Sequence, residues 1–173
     1  YTVYYLVIGK IKTLMQVFTS GMEAAFGDMW VKKEYDTLKK SFSAFEFLLF
    51  SFTAIVFSCV WTLIIPFVSL YTRNVTDVNY IRPTFAFLVI IAEAMYCVRH
   101  PYLTLVYSTG SFEETKFGAA IEALLNITIS AVLINFLGIN GVIIGTLCAN
   151  LFRTIQFALF TSKNILNRNF SHI

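Results

Sequence analysis

Among the charged and amide residues inside long apolar runs, where side chains of their kind are out of place, eight stand out. Lys10, Lys12 and Gln16 fall in a run over 2–27, and Glu93 and Arg99 in one over 80–107. Glu122 and Asn126 fall in a run over 117–137, and Arg153 in one over 141–162. Ionisable groups at bilayer depth are costly, so they pair with one another or front a wet passage. In a wet passage, Lys10, Lys12, Arg99 and Arg153 would be the cationic candidates on its wall. Lys12 is the strongest of these, because Lys12, Gln16, Ser20 and Glu23 follow a 4, 4, 3 spacing and share one helical face. The competing reading is a lysine whose stem lies in lipid while its amine reaches the interface. Arg153 is read equally as an interface anchor. Glu93, near the middle of its run, could take up a coupling proton or cation, or make a structural bond between helices.

Other polar and small residues read as packing. Gly118, Glu122, Asn126 and Ser130 recur every four residues, as do Gly141, Gly145, Ala149 and Arg153, so each set forms one stripe. Glu122 and Asn126 are expected to be structural, with Asn126 clamping a neighbouring helix. Gly141 and Gly145 let membrane helices approach closely. The two stripes are expected to point inward.

Enzyme chemistry finds no support. His100 and His172 have no Cys or Asp companion at ligand spacing, and no GxSxG, Walker, HExxH or EF-hand pattern occurs. Cys59, Cys97 and Cys148 form no CxxC pair and are expected to be buried thiols. No catalytic residue, metal or cofactor is therefore expected.

The elements that hold these residues are helices. The chain of 173 residues is 57% hydrophobic and 13% charged, against the ~25% charged residues of a soluble domain. Its mean hydropathy is +0.71. A net charge of +3 is too small to suggest nucleic-acid binding. Five spans over 2–27, 41–71, 80–107, 117–137 and 141–162 are long enough to cross a bilayer, which takes about 20 residues. An all-α, polytopic membrane bundle follows, read as one membrane domain. The first span is the least apolar; it could line a watery cavity or lie on the membrane surface. The spans are joined by a polar loop or short surface helix over 28–40, a short connection at 72–77 and a turn over 108–116. A four-residue turn, Gly138 to Gly141, joins the last two, and a basic tail covers 163–173. Ser111 and Glu114 fit a capping box. Pro83 suits a first helical turn, Pro66 is expected to kink or end its helix, and Pro101 to kink one that runs on to 107.

Loop charge sets an orientation. Lys32, Lys33, Lys39, Lys40, Arg99, Lys116, Lys163 and Arg168 collect on one side, against Arg73 and Arg82 on the other. The basic side is expected to face the cytosol, which makes all five spans cross. The sequence opens on Tyr1 with no signal-peptide pattern, and is expected to begin within a longer protein.

Ile121-Glu122-Ala123-Leu124-Leu125-Asn126, then Gly138-Ile139-Asn140-Gly141-Val142 and Gly145-Thr146, resemble a pattern of bacterial polysaccharide flippases. These belong to the multidrug/oligosaccharidyl-lipid/polysaccharide superfamily. Tyr1-Thr2-Val3-Tyr4, Ala25-Phe26-Gly27-Asp28 and Pro66 to Thr72 agree in order. The resemblance implies a partial flippase fold, covering the second to sixth helices of the C-terminal lobe. It implies a lipid-linked oligosaccharide or polysaccharide as cargo, the lipid bilayer as surroundings, and the N-terminal lobe of the same protein as partner. It further implies export across the bacterial cytoplasmic membrane. A cation-coupled multidrug exporter of the same superfamily and a non-transport membrane scaffold subunit are the alternatives.

Overall fold

The computed structural model describes residues 2–73 and 81–167. Tyr1, the connection at 74–80 and the end of the tail at 168–173, with Arg168 and His172, lie outside the described residues. Among the described residues the chain is an all-α bundle of five helices: α1 (Thr2–Val31), α2 (Tyr35–Tyr71), α3 (Pro83–Ser108), α4 (Phe112–Leu137) and α5 (Ile139–Phe160). A π-helical turn, Thr161–Ile165, extends α5. Helices α2, α3, α4 and α5 are long and apolar enough to cross a membrane. At 30 residues α1 has the length but not the apolarity.

Helix α3 is the centre. Half of its apolar span is buried, and it packs against α1, α2 and α5; α4 packs on α5, with 6% of its span buried. Helix α2 shows how the period of the sequence sets this arrangement. Leu38, Phe42, Phe45, Leu49, Thr53, Phe57, Val60, Ile64 and Val68 are buried in steps of three or four, one stripe against the bundle. Its other faces, with Phe47, Ile55 and Leu63, stay exposed. Between apolar helices in lipid no water is displaced, so such a stripe holds by van der Waals fit and by polar clamps. Tyr102 supplies one clamp, its hydroxyl donating to Glu46 of α2 at 2.5 Å.

The helices run further than the charge pattern suggests, and the connections are short. The span expected as a polar loop or short surface helix over 28–40 is helical at both ends, as parts of α1 and α2, with a turn of Lys32, Lys33 and Glu34 between them. There Lys33 adopts φ 60°, with Lys33 N–H donating to Trp30 O and Glu34 N–H to Met29 O. This is a Schellman close with lysine where glycine is usual. Asp28, 2.7 Å from Lys32, raises the lysine's pKa through a hydrogen bond and its charge. The same close ends α3, with Gly110 at φ 71°. Ser111 stands at the N-cap of α4 but makes no capping hydrogen bond, so the capping box is not formed; its hydroxyl accepts from Thr109 instead. Pro83 opens α3, while Pro66 and Pro101 lie inside helices that continue past them. Between α4 and α5 the turn shrinks to Gly138 alone.

One end of the bundle gathers Trp30, Lys33, Tyr35, Lys39, Ser111 and Lys163, which line two neighbouring clefts. The thiols are a correction: Cys97 is buried, but Cys59 and Cys148 are exposed. They occupy the outer faces of α2 and α5, where a small soft side chain needs no partner.

Candidate functional site

The first half of the site joins α1 to α3. Tyr5 and Lys12 are seven residues apart and share a face of α1; Glu93, Tyr96 and Arg99 follow at three-residue steps on α3. The Tyr5 hydroxyl donates to Glu93 Oε1 at 2.5 Å, and Lys12 Nζ lies 2.5 Å from Glu93 Oε2. The Glu93 side chain is 7% exposed and that of Lys12 27%. The ammonium also sits over the Tyr96 ring, 4.3 Å from its centroid. A carboxylate buried this deeply is stable only with partners on both oxygens, which Tyr5 and Lys12 provide.

The second half joins α3, α4 and α5. Arg99 donates to Glu122 Oε1 at 2.7 Å, and Arg153 Nε lies 3.5 Å from Glu122 Oε2. Arg153 also donates to the Thr115 carbonyl at 2.8 Å and to Gln156 at 2.7 Å, and its guanidinium stacks on Phe157 at 4.2 Å. Arg99 lies 4.9 Å from the Tyr96 centroid, so one aromatic ring carries cations from both halves. His100 meets the same ring edge-on at 5.1 Å. The whole is one band across α1, α3, α4 and α5: Lys12, Arg99 and Arg153 against Glu93 and Glu122, one positive charge in surplus.

The small and amide residues sit between α4 and α5, and the two stripes face each other. Asn126 Oδ1 accepts from Ser130 at 3.1 Å and Thr146 at 3.5 Å. A Cβ on Gly141 would lie 2.5 Å from the Leu133 backbone, and one on Gly145 2.9 Å from Ser130 N. A Cβ on Gly118 would fall on the Arg153 and Gln156 side chains, so that glycine makes the room in which the guanidinium lies.

Lys10 and Gln16 are not brought into this band; both are exposed on α1. Thr13 and Ser20 are exposed with Gln16, leaving a polar strip that α2–α5 do not cover. Arg99, counted above among loop charges, lies inside α3 with its side chain 10% exposed.

Tyr5 and Tyr96 were not legible as site residues, because tyrosine in apolar sequence reads as interfacial bulk. Two α5 clamps were also missed: Asn150 donates to the Ala92 carbonyl at 3.1 Å and Thr154 to the Met95 carbonyl at 3.4 Å. The signal available was their four-residue spacing beside Ala149 and Arg153. Among the described residues no group of three or more His, Cys, Asp or Glu could hold a metal ion. Comparison with known proteins finds no matching family model, no similar curated protein and no similar solved structure.

Proposed function

We propose that this chain is part of the C-terminal lobe of a membrane transporter that moves polysaccharide or lipid-linked oligosaccharide across the bacterial cytoplasmic membrane by alternating access. The supporting observation is the polar strip of Thr13, Gln16 and Ser20, left uncovered on a helix 30 residues long. The hydroxyls of Thr13 and Ser20 donate to the carbonyls of Gly9 and Val17 on their own helix, so Gln16 is the side chain of the strip that calls for water at bilayer depth. In this reading a second lobe closes the passage, with the strip and the outer edge of Lys12 on its wall. The cationic surplus of the band suits a cargo carrying phosphate. The lysine-rich end faces the cytosol.

A second reading, a non-transport membrane scaffold subunit, has one observation in its favour: Glu93 is closed off by Tyr5 and Lys12. Such a subunit has no wet face. The two readings part at Gln16. In a variant whose three native cysteines are replaced, Gln16→Cys in native membranes is expected to react with a charged, membrane-impermeant thiol reagent. Gln16→Trp is expected to abolish glycan export while protein level is retained. An unreactive cysteine with normal export in the tryptophan variant would sink the transporter reading.

A further inference from the structure

We propose that the cleft between α3, α4 and α5 at the lysine-rich end binds the phosphate of an anionic membrane phospholipid. The cleft is about 350 Å³ and is lined by Arg99, Lys116 and Arg153 against a single carboxylate, Glu122, a surplus of two positive charges. Arg99 is nine-tenths buried, and its Nε has no acceptor among the described residues although its terminal nitrogen is paired with Glu122. A guanidinium has five N–H donors, and leaving one in the interior without an acceptor is costly. A phosphate oxygen is the acceptor such a donor matches best. Lys116 makes no ion pair among the described residues, and Tyr107, 54% exposed, adds a hydroxyl at the rim.

The depth of the cleft selects a lipid. Lys116 is four residues from the start of α4, about 6 Å along the axis; Arg99 is nine residues from the end of α3, about 14 Å, and Arg153 lies deeper than the π turn that extends α5. A 26-residue helix is about 39 Å long and exceeds the ~30 Å hydrocarbon core by a few ångströms at each end. Lys116 therefore stands close to the boundary between headgroups and acyl chains, and Arg99 and Arg153 lie below it, so the cleft leads inward from that boundary. Exposed Phe112 and Phe117 stand beside Lys116, and Leu124 and Ile127 continue down α4 as bare apolar surface. That surface accommodates acyl chains and adds nothing to the binding of a free ion. Basic pockets between transmembrane helices at an interface are a known form of headgroup site. The site requires membrane embedding only, and holds whether or not the chain belongs to a transporter.

The test is lipid retention by the full chain in a zwitterionic detergent, read by native mass spectrometry. Phosphatidylglycerol is expected to be retained over phosphatidylcholine by more than about tenfold, and Lys116→Gln to lower phosphatidylglycerol retention by about fivefold. Arg99→Gln is expected to abolish the preference; because it also unpairs Glu122, the exposed Lys116 variant decides if it fails to fold. Excess inorganic phosphate is expected to leave the lipid in place. Equal retention of the two lipids, wild-type retention in Lys116→Gln, or displacement by inorganic phosphate would each overturn the assignment.

Discussion

Glu93 and Lys12 form the pair on which residue-level chemistry turns. Each was conspicuous in the sequence as a charge within apolar surroundings, but their meeting was not, since they stand 81 positions apart with the whole of α2 between them. Removing one partner leaves the other charge buried and uncompensated. Glu93→Ala is expected to lower stability by about 3 kcal/mol. The neutral pair Lys12→Met with Glu93→Gln is expected to cost less than the sum of the single changes by about 1–3 kcal/mol. Thermal unfolding in detergent, followed by circular dichroism across the four variants, measures this; additive effects would mean that the two groups do not interact. Tyr5 was hidden for a different reason. Its phenol donates only because Glu93 faces it from α3, a circumstance no spacing within α1 records.

At the scale of elements, the two small-residue stripes were readable because the α4–α5 contact repeats every four residues. The lengths of the helices were less so. Charged residues at 28–40 look like a loop or short surface helix, yet they are the solvated ends of α1 and α2, turned by a lysine in a left-handed conformation. Glycines now separate by what surrounds them. Gly145→Leu is expected to force α4 and α5 apart, since Ser130 N and the Asn126 carbonyl oxygen would lie 2.9 and 3.1 Å from even its first carbon, at a cost of about 1–3 kcal/mol. Gly138 has open space around it but φ 56° and ψ −135°, which a side chain disfavours. Gly138→Ala is therefore expected to destabilise by about 1–3 kcal/mol without any clash. Gly21→Ala, at an equally open site within α1, is expected to stabilise by about 0.5–1 kcal/mol. Denaturant titration of the three variants gives the order directly, and a neutral Gly138→Ala would refute the backbone explanation.

For the whole molecule, composition alone placed the chain in a membrane, because few soluble folds tolerate so little charge. What composition could not say is which apolar surface is inside. A membrane helix is hydrophobic all round, so the pattern that separates core from surface in water is muted; Cys59 and Cys148 were misplaced for that reason. In detergent, a small permeant maleimide at alkaline pH is expected to modify two of the three thiols of the folded protein. Cys97 is expected to react only after unfolding. Mass spectrometry of the labelled protein checks the count, and three rapid modifications would contradict the burial of Cys97.

The single-residue join at Gly138 leaves no slack between the last two helices, and Gly141 and Gly145 seat them backbone to backbone. They form one lever. On the transporter reading proposed above, α4 and α5 are expected to move as a unit, carrying Glu122 and Arg153 together relative to Arg99. On that reading the contact that has to yield is the Arg99–Glu122 pair, not the hairpin bend.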